Sequence, residues 1–243
     1  MTPAHILRCR ENLDAVRGRV AEACRKGGRD PSSVRIVGVT KYVSSDSAAI
    51  LLELGCLDLA ESRPQSLWEK SAAMAKANPP PRWHFVGHLQ RNKVRRTIGV
   101  TSLIHSLDSQ RLLEAIDAEA AVCGRVCEML VEVNLSGDRG RTGVSEQAVG
   151  PLVEAAAQYS HVRVCGLMGM ASEPEGADAQ AQARRQFAHL RQIRERLVAS
   201  SPAAAGLNEL SMGMSGDFEE AVLEGATLVR IGSALWEGIA AHD

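Results

Sequence analysis

The chain has 243 residues, 28 of them basic and 29 acidic, so no net field favours nucleic acid or an anionic membrane surface. Aromatic residues make up only 3%, too few to build a stacking platform for single strands. With 45% hydrophobic and 23% charged residues it has the balance of an ordinary soluble protein, large enough to bury a core without a disulfide or metal staple.

The six cysteines, Cys9, Cys24, Cys56, Cys123, Cys127 and Cys165, are scattered, with no C-x-x-C pair and no neighbouring histidine cluster. They read as packing residues, and no metal site is expected. The first dozen residues carry charge and no apolar signal core, and no stretch approaches 18 uncharged apolar residues. A cytoplasmic location without a membrane span is expected.

Residues 3–26 have the period of an amphipathic helix, with Ile6, Leu7, Leu13, Val16, Val20 and Cys24 near one face. Thr2-Pro3 supplies a cap and a first-turn proline, and Gly27-Gly28 ends the helix. Short apolar runs follow at 34–40 (VRIVGVT), 57–60, 83–86, 102–105, 128–134 (EMLVEVN), 162–167, 209–212 and 228–231. Between them lie helix-like segments near 45–55, 64–77, 90–98, 109–123, 145–159, 178–199 and 216–224. Short runs bounded by turn residues suit buried parallel strands, and strand–helix alternation makes βαβ units. The alternation predicts an α/β fold, a closed (β/α)₈ TIM barrel of the usual ~250 residues. One domain over 1–243 is expected, with 1–28 as an extra N-terminal helix packed on the barrel. The polar loops at 78–82 and 172–178 separate no independent patterns and mark no boundary.

Functional side chains of such a barrel project from the carboxyl ends of its strands. Strand one is followed by Lys41, strand two by Glu61, Ser62 and Arg63, and strand five ends in Asn134-Leu135-Ser136. Strand seven runs into Ser211-Met212-Gly213-Met214-Ser215-Gly216-Asp217, and strand eight into Arg230-Ile231-Gly232-Ser233. The loops after strands seven and eight commonly bind phosphate. Here Gly213, Gly216 and Gly232 let backbone N–H groups approach an anion, Ser215 sits where it caps the next helix, and Gly232-Ser233 opens a final one. The same glycines and serines equally suit ordinary caps and turns.

Lys41 ends an apolar strand, which puts its ammonium on the floor of the mouth beside low-dielectric walls. Burial and neighbouring cations lower a lysine pKa from ~10.4 and free the amine for an aldehyde. A lysine opposite a phosphate site has the geometry of a Schiff base to pyridoxal 5′-phosphate (PLP). A rim lysine paired with Glu61 or with a phosphate fits the residues as well. Arg230 stands where it could face a pyridine nitrogen or pair with a barrel glutamate. His84, in Trp-His-Phe, reads as a hydrogen-bonded core residue, and a barrel-interior Glu132 needs a partner.

Several motifs occur in order: VGVTK ending at Lys41, WHFVGHLQRNK at 83–93, HSLD at 105–108, VEVNLS at 131–136, GLMGM at 166–170, LSMGMSGD at 210–217 and VRIGSALWEG at 229–238. Together the chain resembles, over nearly its whole length, the pyridoxal phosphate homeostasis proteins, alanine-racemase-like barrels of fold type III. The resemblance implies a PLP-binding protein that supplies or buffers the cofactor without catalytic turnover. It implies Lys41 as the Schiff-base lysine; Ser211, Gly232 and Ser233, with backbone amides such as that of Gly213, around the phosphate; Arg230 at the pyridine nitrogen; and Asn134 and Met212 lining the pocket. It points to apo PLP-dependent enzymes as recipients. The low aromatic content and single domain favour a monomer. The chain departs from the family pattern at Ser62, where asparagine is usual, and at Val43 and Arg141, where lysine is common.

Two other functions are open to such a barrel. A fold-type III racemase or decarboxylase needs an acid and a base on opposite faces of the cofactor. Alanine racemases append an all-β domain that supplies a catalytic tyrosine, whereas this chain ends about five residues after Gly238 and has only Tyr42 and Tyr159. A carrier is therefore expected. A phosphate-sugar aldolase using Lys41 would bind no PLP.

Overall fold

The structure, a computed structural model, describes residues 2–138, 140–172 and 178–239. Strands β1 (Arg35–Val39), β2 (Asp58–Glu61), β3 (Arg82–Phe85), β4 (Leu103–Leu107), β5 (Cys127–Val133), β6 (Val162–Gly169), β7 (Glu209–Ser211) and β8 (Leu228–Ile231) close a parallel barrel in chain order. Closure is made by β1 on β8, with Val37 opposite Arg230 and Gly38 opposite Ile231. Side chains alternate across each strand. Val37, Ala60, Leu103, Leu130, Met168 and Leu228 form an apolar cluster inside the barrel. Phe85, Ile104, Val131, Leu210 and Val229 face out into the larger layer beneath the helices.

The outer layer comprises α2 (Ser45–Glu53), α3 (Pro64–Ala73), α4 (Val94–Ile98), α5 (Gln110–Val122), α6 (Glu146–Ala156), α7 (Ala179–Ser200) and α8 (Phe218–Leu223). The N-terminal helix α1 (Pro3–Lys26) packs against α8, α2 and the turn after β8. Gly232-Ser233, expected to open a helix, opens a 3-10 turn, Ser233–Leu235, against which α1 packs. The side chain of Thr2 caps α1 by accepting from His5 N.

Several boundaries differ from the sequence expectation. Segment 90–98 divides into a 3-10 turn, Arg91–Lys93, and the short α4. The fourth strand runs on to Leu107, the sixth reaches Gly169, and the seventh stops at Ser211. On α1, Ile6 and Leu7 are exposed, because burial along that face starts at Cys9, which packs with Ile50 and Ile239. The cysteines are unpaired; Cys9, Cys24, Cys56 and Cys127 are buried, while Cys123 is exposed and Cys165 half-buried. No helix among the described residues is long and apolar enough to cross a membrane.

Candidate functional site

The carboxyl ends of β1, β2, β3, β6 and β8 and the loop after β7 surround a cavity of about 660 Å³. That lies within the ~300–1,000 Å³ typical of small-molecule sites. Its walls include Val39 of β1 and Lys41, Tyr42 and Val43 after it, Ser62 after β2, Met168 of β6 and Met170 just beyond it, Met214–Gly216 after β7, and Arg230, Gly232, Ser233 and Trp236 from β8 onward. Trp236 donates its ring N–H to Val39 O at 2.8 Å, tying the last turn to the first strand.

Lys41 is on this wall but exposed, not sunk beside apolar walls on the floor. The strand ends at Val39, and the buried residue after it is Thr40. The Lys41 Nζ lies 4.8 Å from the Tyr42 ring centroid. Glu61 does not pair with it. That carboxylate points outward, accepts from Thr40 Oγ1 at 2.8 Å, and is bonded by Lys70 of α3, which also donates to Thr40 O at 2.6 Å. This buried ion pair anchors the residue just before Lys41.

Arg230 is buried at the cavity floor, where Nη1 donates to Ser211 Oγ at 2.6 Å and Nη2 to Gly169 O at 3.1 Å. Burial pushes its guanidinium down to about 10, against the opposing pull of Asp217 and Glu132. Burial likewise pushes the Glu132 carboxyl up, and its partner is Thr142, whose hydroxyl donates to it at 2.5 Å.

The loops after β7 and β8 are tied by Ser215, whose Oγ accepts from Gly232 N at 3.3 Å and Ala234 N at 3.2 Å. Ser215 thus caps the turn after β8. The cap position of α8 belongs to Asp217, whose Oδ1 accepts from Met214 N at 2.6 Å. The backbone N–H groups of Ser215, Gly216 and Ser233 take no partner among the described residues, which leaves three donors at the cavity wall.

Of the residues singled out from sequence, Lys41, Arg230, Gly232 and Ser233 come together on this cavity. Ser211 faces inward but lies beneath Arg230, engaged with it. Met212 is fully buried in the layer under the helices, as alternation from Ser211 requires. Gly213 packs against α8. Asn134 organises the loop after β5, donating to Asp138 O at 2.7 Å and accepting from Ser136 N at 3.1 Å. With Glu132, Arg141 and Asp217 it lines a second cavity of about 510 Å³, which shares Met170, Met214 and Gly216 with the first. Two of the departure positions, Ser62 and Val43, are wall residues of the first cavity, and Arg141 belongs to the second.

Sequence reasoning missed Tyr42 and Trp236 as wall residues, whereas Met168 and Met170 stand at the end of strand six, where the rim is expected. It read His84 correctly as a hydrogen-bonded core residue, but missed the polar interior that this histidine forms with Asp58, His105 and Ser211. Counting by twos back from each strand's rim residue marks all four as inward-facing.

Fold and site define a class: (β/α)₈ barrels with a lysine just after the first strand and a donor-lined cavity at the carboxyl rim. The family model for the alanine racemase N-terminal domain matches residues 12–239, and the chain belongs to that family, among its pyridoxal phosphate homeostasis proteins. It is 35% identical to the pyridoxal phosphate homeostasis protein of Aquifex aeolicus, over 93% of this chain and 96% of that protein. The protein of the same name from Deinococcus radiodurans is 37% identical, over 93% and 99%. The structure of PipY from Synechococcus elongatus PCC7942 with PLP bound is 30% identical, covers 93% of this chain and 99% of that one, and superposes with a TM-score of 0.82. An alanine racemase of Clostridium difficile 630 shares the fold at 14% identity and a TM-score of 0.72, this chain matching 58% of its length.

Proposed function

We propose that this protein binds PLP in the rim cavity, attached through Lys41, and acts as a carrier or buffer of the cofactor and not as an enzyme. PLP brings an aldehyde that condenses with a primary amine to a Schiff base and releases one water. Lys41 supplies the amine. The unpartnered N–H groups of Ser215, Gly216 and Ser233 suit a phosphate, since adjacent free backbone donors make an anion-binding concavity. Arg230 presents its remaining donors toward the ring nitrogen. The observation that carries the proposal is the meeting of amine, guanidinium and free N–H donors on one cavity of suitable size.

Within that cavity the titratable side chains among the described residues are Lys41, Tyr42 and Arg230. Lys41 and Tyr42 are chain neighbours with their groups in contact, so they offer no acid and base on opposite faces of a ring. That favours a carrier over a racemase or decarboxylase. The exposed Lys41 leaves the attachment point open to water and to a recipient. Apo PLP-dependent enzymes are the recipients we infer, and the single barrel is taken to work as a monomer.

The test is an absorbance spectrum of wild type beside Lys41→Ala after PLP is added and the excess removed. A band near ~420 nm in wild type alone, fixed by borohydride as a mass adduct on Lys41, is expected. Amino acids incubated with the loaded protein are expected to keep their configuration. No band and no adduct in wild type would replace PLP with a phosphate-sugar ligand.

A further inference from the structure

A line of polar side chains crosses the barrel interior from its amino end to the floor of the rim cavity. Asp58 of β2, His84 of β3, His105 of β4, Ser211 of β7 and Arg230 of β8 are each 5% exposed or less. Asp58 Oδ1 lies 2.9 Å from His84 Nε2, His84 Nδ1 lies 2.8 Å from His105 Nε2, and His105 Nδ1 lies 2.8 Å from Ser211 Oγ. Ser211 Oγ then accepts from Arg230 at 2.6 Å. At the amino end Asp58 also accepts from Arg82 Nε at 2.9 Å, beside the ion pairs Arg35–Glu209 and Arg163–Glu128.

The two ends dictate how the hydrogens between them are ordered. Burial works to raise the Asp58 carboxyl, but hydrogen bonds from His84 and Arg82 outweigh it and hold it at about 2, so it is ionised and only accepts. Arg230 only donates. If both imidazoles are neutral, Arg230 donates to Ser211, the Ser211 hydroxyl to His105 Nδ1, His105 Nε2–H to His84 Nδ1, and His84 Nε2–H to Asp58. Every donor and acceptor in the line is then used once.

If His84 were an imidazolium, the two middle bonds would reverse. Ser211 Oγ would accept from both His105 and Arg230, and its own hydrogen would have no acceptor among the described residues at a fully buried site. A buried polar hydrogen without a partner carries its full desolvation penalty. Burial pushes the His105 imidazole well below the usual histidine range, which keeps that ring neutral.

We propose that Asp58, His84, His105 and Ser211 are positioning residues for Arg230, a one-way hydrogen-bond relay that turns a Ser211 lone pair to the guanidinium and aims its remaining donors into the cavity. Both imidazoles are neutral and carry their hydrogen on Nε2. The inference rests on the PLP proposal only for what Arg230 meets; the order of hydrogens along the line holds without cofactor.

The first experiment is imidazole-nitrogen NMR on ¹⁵N-labelled protein without PLP. Hydrogen on Nε2 and none on Nδ1 in both rings at neutral pH is expected. An imidazolium at His84, or a hydrogen on either Nδ1, overturns the relay. PLP is then titrated into wild type, Asp58→Asn and His105→Leu, with circular dichroism reporting folding. Breaking the line at either residue is expected to weaken PLP binding about tenfold. The bound-cofactor band is expected to move, while borohydride still fixes PLP on Lys41 at saturation. Wild-type affinity and band position in the folded variants overturn the positioning role. A wild type that takes up no PLP sinks the PLP proposal instead and leaves the NMR result to decide the relay.

Discussion

At Gly213 the backbone turns with φ +89° directly after β7, and a β-carbon there would lie 2.6 Å from the Ala221 Cβ and 2.9 Å from the Phe218 Cα. Gly213 O also accepts from Arg230 N at 3.0 Å, so this one residue fixes both the seat of α8 and the floor of the cavity. Gly213→Ala is expected to cost about 1–3 kcal/mol from overpacking, with backbone strain added, read as a lower urea midpoint. Its affinity for PLP should fall with it, because Arg230 shifts. The sequence marked Gly213 as a phosphate-loop residue on its glycine alone; what it could not reveal is that the space is taken by α8. Lys41 is a similar case. Its position after an apolar strand was legible, but its exposure follows from Thr40 turning in to Glu61 and Lys70, a contact between residues up to thirty apart.

At the scale of elements, α1 holds the site's last wall. The Asn12 side chain, nearly buried, donates to Leu235 O at 3.1 Å and Glu237 O at 2.9 Å, so the first helix clamps the turn that carries Ser233. Asn12→Ala leaves these carbonyls without that donor. A loss of about 1–3 kcal/mol in urea denaturation is expected, together with weaker PLP binding while the Lys41 adduct persists. Unchanged binding would mean that Ser233 needs no support from α1. The eight strands were readable because each is a short apolar run between turn residues, and the helices because their period differs. The shortened turn at Ser233–Leu235 was not, since Gly-Ser after a strand is as good a helix start as any, and the packing of α1 against it joins residues distant in sequence. Ser215 was read as the cap of the helix following it, yet bonds across to the other loop, a choice that only the closed barrel presents.

For the whole molecule, the buried polar line makes stability depend on pH in two stages. His105 has its folded pKa pushed below the histidine range, so the unfolded chain binds a proton first as pH falls. Stability is full above the unfolded value of ~6.5 and declines below it by at most about 1.4 kcal/mol per pH unit. Asp58, held at about 2, contributes in the other range. Its share, about 2 kcal/mol, is present above the unfolded ~3.9 and is lost as pH falls through about 2. Urea midpoints should therefore drop between about pH 7 and about pH 5 in wild type, with a flatter profile in His105→Leu. Equal slopes in the two proteins would assign the acid sensitivity elsewhere.

The clamp from Asn12 to Leu235 spans 223 residues of chain. The contacts of α1 with the turn after β8 therefore form only once β8 is in place. The closure of β1 on β8 joins segments of similarly wide separation in sequence. Lys41 lies nearly 200 residues of sequence from Ser233 and Trp236 on the wall of the same chamber. The chamber therefore exists only in the closed barrel, and a chain with β8 undocked has the Lys41 amine without the walls around it.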